Sequence, residues 1–147
     1  RDLHSFPTRR SSDLRSDSML LEIDEQSEQP IYQQLIDQII VGIAKGELVP
    51  NESLPSIRQL ADEIGVNMMT VSKAYNKLKQ SGYIVTDRRN GTKITAKLPA
   101  TAVWQQQLHE RLELLLAESF LHQQSEAEIQ ALIQKIYQNF DSKGRAL

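Results

Sequence analysis

Cysteine is absent from the 147 residues. That excludes disulfides, thiolate nucleophiles and Cys-type zinc sites, and it suits a reducing cytoplasm. Histidine is scarce. His4, His109 and His122 are too scattered for a metal constellation, so each reads as a solvated or packed side chain and no metal is expected. No apolar run approaches membrane-spanning length, so no membrane partner is expected. There is no Gly-rich phosphate loop, no G-x-S-x-G and no evident pair of catalytic carboxylates. Neither a cofactor nor an enzymatic activity follows from the chain. What remains, 39% hydrophobic and 24% charged, reads as an ordinary soluble chain of one domain plus an appendage.

Acids are also scarce in one stretch. From Ser53 to Lys97 eight Lys and Arg stand against three Asp and Glu, a net of +5, whereas Met19 to Glu52 holds one base against seven acids. The formal charge of −2 therefore conceals a basic module beside an acidic one. Such a balance argues against an indiscriminate nucleic-acid coat and leaves room for a focused basic face.

The basic module carries the local signals of two short helices. Pro55 stops a helix from entering from upstream, and Ser56 with Gln59 forms a reciprocal S-x-x-Q capping box. Ile57, Leu60, Ala61 and Ile64 then recur at helical spacing, until Gly65 can end the helix in a left-handed conformation. Asn67 caps the next helix, expected from about Met68 to Ser81 with Gly82 as its stop. On a helical wheel Val71, Ala74, Tyr75 and Leu78 share one side, with Met69, Ser72, Lys73, Asn76 and Gln80 opposite. That outer face has no acid, which suits an element lying against phosphate. Its bland reading is a solvated helix face.

Upstream, Tyr32, Leu35, Ile36, Ile39, Ile40 and Ile43 make an apolar stripe between Pro30 and Gly46, a core-facing helix. Downstream, Tyr83-Ile84-Val85-Thr86 and Thr92-Lys93-Ile94-Thr95-Ala96-Lys97 read as two strands around an Asn90-Gly91 turn signal. A hairpin directly after a helix-turn-helix is a wing. Arg88 and Arg89 fall at its tip, and Lys93 and Lys97 on its return strand, cations suited to phosphate or a minor groove.

Four blocks in order, Pro30-Ile31-Tyr32, Gly46-x-Leu48-x-Pro50, Leu54-Pro55-Ser56-x-Arg58-x-Leu60-Ala61 and Asn67-x-x-Thr70-Val71-x-x-Ala74-Tyr75, resemble the GntR family of bacterial winged-helix transcription regulators. The resemblance runs roughly from Gln29 to Thr95. It implies DNA contacts from Arg58, the start of the second helix and the wing. The candidate DNA-binding set is Ser56, Arg58, Asn67, Met69, Thr70, Ser72, Lys73, Asn76, Arg88, Arg89, Gly91 and Lys93. Within it Lys73 suits guanine, Asn76 adenine and Met69 a thymine methyl. Asn51 stands where the family usually has Gly, Met68 where Arg or Pro is common, Ser72 where Arg often sits, and the wing has one clear Gly, Gly91.

After Pro99 two further helical stripes appear, Trp104, Leu108, Leu112, Leu115 and Leu116, then Ile129, Leu132, Ile133, Ile136, Tyr137 and Phe140. Ser125 and Glu128 make a second capping box between them. Two such helices cannot enclose a sizeable ligand pocket, yet each has a stripe that must be buried. The same hairpin of a second subunit is the expected partner, through Trp104, Leu108, Leu112, Leu115, Ile133, Ile136 and Phe140. This arrangement resembles the YtrA-type branch of the GntR family, whose short C-terminal helices serve dimerisation and which is often tied to transporter operons. Residues 1–18 read as a non-native or disordered leader, with the look of translated adapter sequence before Met19. Their three acids argue against a basic DNA-binding arm.

The expected architecture is mainly α with a small β-hairpin: a winged helix-turn-helix over residues 19–98 and a helical dimerisation segment over 99–147. The expected function is a cytoplasmic homodimeric repressor on a pseudo-palindromic operator of double-stranded DNA. The alternative is a winged-helix protein-interaction module without specific DNA binding. Any small-molecule effector and the regulated genes lie beyond what the residues specify.

Overall fold

The computed structural model describes residues 21–140, so the leader expected at residues 1–18 lies outside the described residues. In chain order the elements are α1 (Ile31–Ala44), α2 (Ile57–Ile64), α3 (Met68–Gln80), β1 (Ile84–Asp87), β2 (Gly91–Ile94), α4 (Ala102–Leu121) and α5 (Glu126–Gln138). They fall into two units, the first ending at Lys97 and the second beginning at Leu98.

In the first unit local chemistry sets the helix ends. Ser56 Oγ accepts the Gln59 amide at 3.1 Å while Gln59 Oε1 accepts the Ser56 amide at 2.9 Å, closing the box that starts α2. Gly65 ends α2 at φ 73° and donates to the Ala61 carbonyl. Asn67 Oδ1 then accepts the Thr70 amide at 2.9 Å and starts α3. The helix stops at Gln80, one residue before the expected Ser81. Ser81 is its C-cap, and Gly82 at φ 86° turns the chain into the hairpin.

Leu35 and Ile39 of α1, Leu60 and Ala61 of α2, and Val71, Ala74, Tyr75 and Leu78 of α3 meet in one core with Ile84 and Ile94 of the hairpin. α3 is the shared element, packed against α1, α2 and β1. The apolar positions of all three helices thus bury one common face, as period 3.6 requires.

The hairpin differs from the expected strands. Asp87 pairs with Gly91 and Ile84 with Ile94, so the strands are Ile84–Asp87 and Gly91–Ile94, joined by Arg88-Arg89-Asn90. The reason is the Asp87 carboxylate, which accepts both the backbone and the side-chain N–H of Asn90 and closes a three-residue loop. Gly91, at φ 74°, supplies the left-handed residue that such a loop needs where pairing resumes.

A third strand-like segment lies on the other edge of β2. Ser53 bridges Lys93, the Leu54 amide donates to Thr92 O at 2.8 Å, and the Ile94 amide donates to Glu52 O at 2.9 Å. Asn51 enters this segment at φ 69° and donates its own amide to Ile94 O. Asn tolerates that left-handed region better than other side-chain-bearing residues, which explains how it occupies the usual Gly position.

The polar side of α1 braces the chain before it. Gln34, itself buried, accepts the Asp24 amide and donates to the carbonyls of Asp24 and Gln29, each at 2.9 Å. Gln38 makes the same two-way exchange with the backbone of Glu22. These bonds seat Leu21 and Ile23 against the core.

In the second unit Thr101 caps α4 and the Ser125–Glu128 box caps α5. No residue of either helix is buried. Trp104, Leu108, Leu112, Leu115, Ile133 and Ile136 are all exposed, whereas Phe140 is half-buried and meets the Tyr137 ring edge-on at 5.4 Å. No helix among the described residues is long and apolar enough to cross a membrane.

Candidate nucleic-acid interface

Capping decides which groups of the candidate set remain free. Asn67 Oδ1 is committed twice, to the Thr70 amide and to the Thr70 hydroxyl at 3.1 Å, so its Nδ2 is the uncommitted end. The Ser56 hydroxyl oxygen is likewise taken by Gln59. Past these caps the exposed residues of α3 are Met68, Met69, Lys73, Asn76, Lys77, Lys79 and Gln80, a surface without a carboxylate. Met69 is 81% exposed, a thioether held in water. Thr70 and Ser72 are half-buried at the margin of this surface.

Arg58 is the second residue of α2 and exposed. Arg88 and Arg89 occupy the hairpin loop, also exposed, and Lys93 lies half-buried in β2. Gly91 has open space where a Cβ would stand, so its requirement is the positive φ and not room for an approaching group. The wing loop has its own electrostatic lock. Hydrogen bonds from the Asn90 backbone and side chain, together with the nearby Lys93 cation, hold the Asp87 carboxyl below the usual carboxylate range.

Lys73 has a partner that periodicity alone does not reveal. Its Nζ sits 4.0 Å from the centroid of the Tyr32 ring on α1, and Lys77 Nζ lies 6.0 Å from the same ring. The apolar stripe of α1 puts Tyr32 in the core by spacing, but the residue is half-buried, with lysines over its ring. Tyr75 is buried, as its inward position predicts, and its hydroxyl donates to Pro55 O at 2.8 Å, tying α3 to the segment entering α2. Burial, with Glu63 adding to it, pushes the Tyr75 phenol well above the ordinary tyrosine range.

Two shallow grooves lie on the second unit, one along α5 at Ala127, Gln130 and Gln134 and one at the turn from Phe120 to Ser125. Among the described residues no group of His, Asp and Glu is placed to hold a metal ion.

The family described as "Bacterial regulatory proteins, gntR family" matches residues 31–94. The chain is 43% identical over 84 residues to the HTH-type transcriptional repressor YtrA of Bacillus subtilis, over 57% of this chain and 65% of that protein. It is therefore aligned to just under two thirds of that relative's length. A second B. subtilis protein, the HTH-type transcriptional regulator YhcF, is 34% identical over 101 residues, 69% of this chain and 80% of its own. Among solved structures, YtrA from Sulfolobus acidocaldarius, described as a GntR-family transcription factor, is 45% identical at a TM-score of 0.55, covering 66% of this chain and 97% of that one. A transcriptional antiterminator from Listeria monocytogenes superposes at a TM-score of 0.74 with 29% identity, over 80% of this chain and 90% of its own.

Proposed function

The chain belongs to the gntR family of bacterial regulatory proteins, and from that premise we propose that it is a cytoplasmic transcriptional repressor that binds a pseudo-palindromic operator as a homodimer. The observation that carries this reading is the carboxylate-free exposed surface of α3, beginning at an Asn67 cap and accompanied by the arginine-tipped wing. A helix presented in this way suits the major groove, where its N-terminal half meets base edges.

In this reading Asn67, Met69, Thr70, Ser72, Lys73 and Asn76 face the bases, while Ser56 and Arg58 meet phosphate. Arg88, Arg89, Gly91 and Lys93 form the wing's contact to the backbone or the minor groove. The exposed apolar positions of α4 and α5 supply the two-fold interface that brings two such modules to two half-sites. The name of the B. subtilis relative supports the repressor assignment. Control of a transporter operon follows from the resemblance to the YtrA-type branch, and the genes neighbouring its coding sequence would test it.

The direct test is selection of duplexes from a random-sequence pool by the full chain. Enrichment of an inverted repeat is expected, its half-sites about one helical turn apart or a multiple of it. Retention of DNA without a common motif would overturn specific binding and leave the protein-interaction alternative.

A further inference from the structure

We infer that Tyr32 is a positioning residue for DNA binding: its ring holds the Lys73 ammonium, with Lys77 behind it, at the α1 edge of α3, so that these cations meet the sugar-phosphate backbone and not a base. The inference rests on the DNA-binding reading above and reassigns Lys73 within it.

Lysine carries a point charge on a flexible four-carbon stem, so an unpartnered ammonium samples many positions. Here two of them converge. Lys73 and Lys77 are four residues apart on one helix, a spacing at which like charges repel, and neither makes an ion pair among the described residues. The negative face of the Tyr32 ring is what draws them together, with Lys73 Nζ at 4.0 Å in direct contact and Lys77 Nζ at the outer limit of such an interaction.

The ring is anchored by the packing of Tyr32 against the core. Tyr32 is the second residue of α1, whose Leu35, Ile36 and Ile39 are buried in the core, so its place is set by packing and not by the lysines. On a helical wheel Lys73 stands between the outward direction of α3 and its α1 flank, and Lys77 lies on that flank, while Ser72 and Lys79 fall on the other side. Holding Lys73 on the ring commits it to the flank. The result is a spot of two cations with no carboxylate on α3, at the seam where a helix lying in a major groove runs beside the groove's phosphate wall. Lysine contacts phosphate as a point charge and needs no bidentate geometry, so a position over a ring does not impair it.

The test uses the full chain and fluorescence anisotropy over a salt series, on a duplex enriched by the wild-type protein and on a scrambled duplex of equal length. Lys73→Ala is expected to weaken both by the same factor and to reduce the salt slope by about 0.9 for each phosphate it leaves without a cation. Tyr32→Leu should weaken both about two- to fivefold, Tyr32→Phe should restore binding, and Tyr32→Leu should add nothing once Lys73 and Lys77 are both alanine. That last comparison separates positioning from folding, because a merely structural tyrosine would cost the same with or without the lysines. A Tyr32→Leu effect that persists in the lysine-free background, or a Tyr32→Phe variant as weak as Tyr32→Leu, would overturn the inference alone. So would a Lys73→Ala variant that selects a different motif. If the wild-type chain enriches no duplex, the regulator reading itself falls and takes the inference with it.

Discussion

Gly65 and Asn51 both sit in the left-handed region, at φ 73° and 69°, but they reach it with different side chains. A Cβ at Gly65 would meet nothing within 4 Å, so Gly65→Ala creates no clash and its cost is that of the backbone alone, about 1–2 kcal/mol. Asn51→Gly should gain a few tenths of a kcal/mol and Asn51→Ala lose about 1 kcal/mol. Urea denaturation of the three variants checks the order. Tyr75 gives a pH-dependent case. Its folded-state pKa is raised, so the stability it contributes is fully present below the free tyrosine value of about 10 and is lost as pH climbs from there toward the folded value. Tyr75→Phe should cost about 1 kcal/mol at neutral pH through loss of the bond to Pro55 O. Above pH of about 10 that gap should narrow, since phenylalanine has nothing to ionise. A gap that widens instead would contradict a raised pKa.

At the scale of elements the wing is a hairpin with three edges of support. Asp87 closes its loop, β1 and β2 pair across it, and residues 51–54 pair with the outer edge of β2. Because the Asp87 carboxyl is held below its usual range, loop closure is complete above the ordinary carboxylate pKa and is lost as pH falls through the lowered value. Asp87→Ala should therefore speed hydrogen exchange at the Asn90 amide while leaving exchange at the buried Ile84 and Ile94 unchanged. Loss of protection at those core positions as well would mean that the loop holds the whole sheet. Arg88→Ala and Arg89→Ala should leave stability unaltered, as both side chains are exposed, and each should reduce the salt slope of DNA binding by about 0.9.

For the whole molecule the distribution of burial is the controlling fact. Among the described residues every buried apolar residue of the core belongs to the first unit, whereas α4 and α5 bury none of theirs. Residues up to Lys97 should therefore fold alone as a monomer that binds a half-site weakly. The full chain should sediment as a dimer at micromolar concentration, with an avidity gain on the order of 10²-fold or more from making the second engagement intramolecular. Leu112→Glu places a charge in the exposed α4 stripe and should reproduce the behaviour of the truncated chain. An intact chain that sediments as a monomer yet binds a full operator tightly would assign α4 and α5 to another partner.

What the sequence determined by itself is local. The Ser56 box, the Gly65 stop, the Asn67 cap and the apolar faces of α1, α2 and α3 each depend on residues within four positions of one another, so spacing alone exposes them. The acid-free face of α3 is legible for the same reason. Tertiary structure decided what involves distant partners. The register of the hairpin joins Ile84 to Ile94 across the loop, the pairing of residues 51–54 with β2 has no alternating pattern to announce it, and the Gln34 and Gln38 braces spend polar side chains on backbone groups of residues 22–29. The Tyr32–Lys73 contact is of the same kind: periodicity records only that an aromatic residue occupies an inward position, and the cation reaches its ring because α1 and α3 are packed side by side.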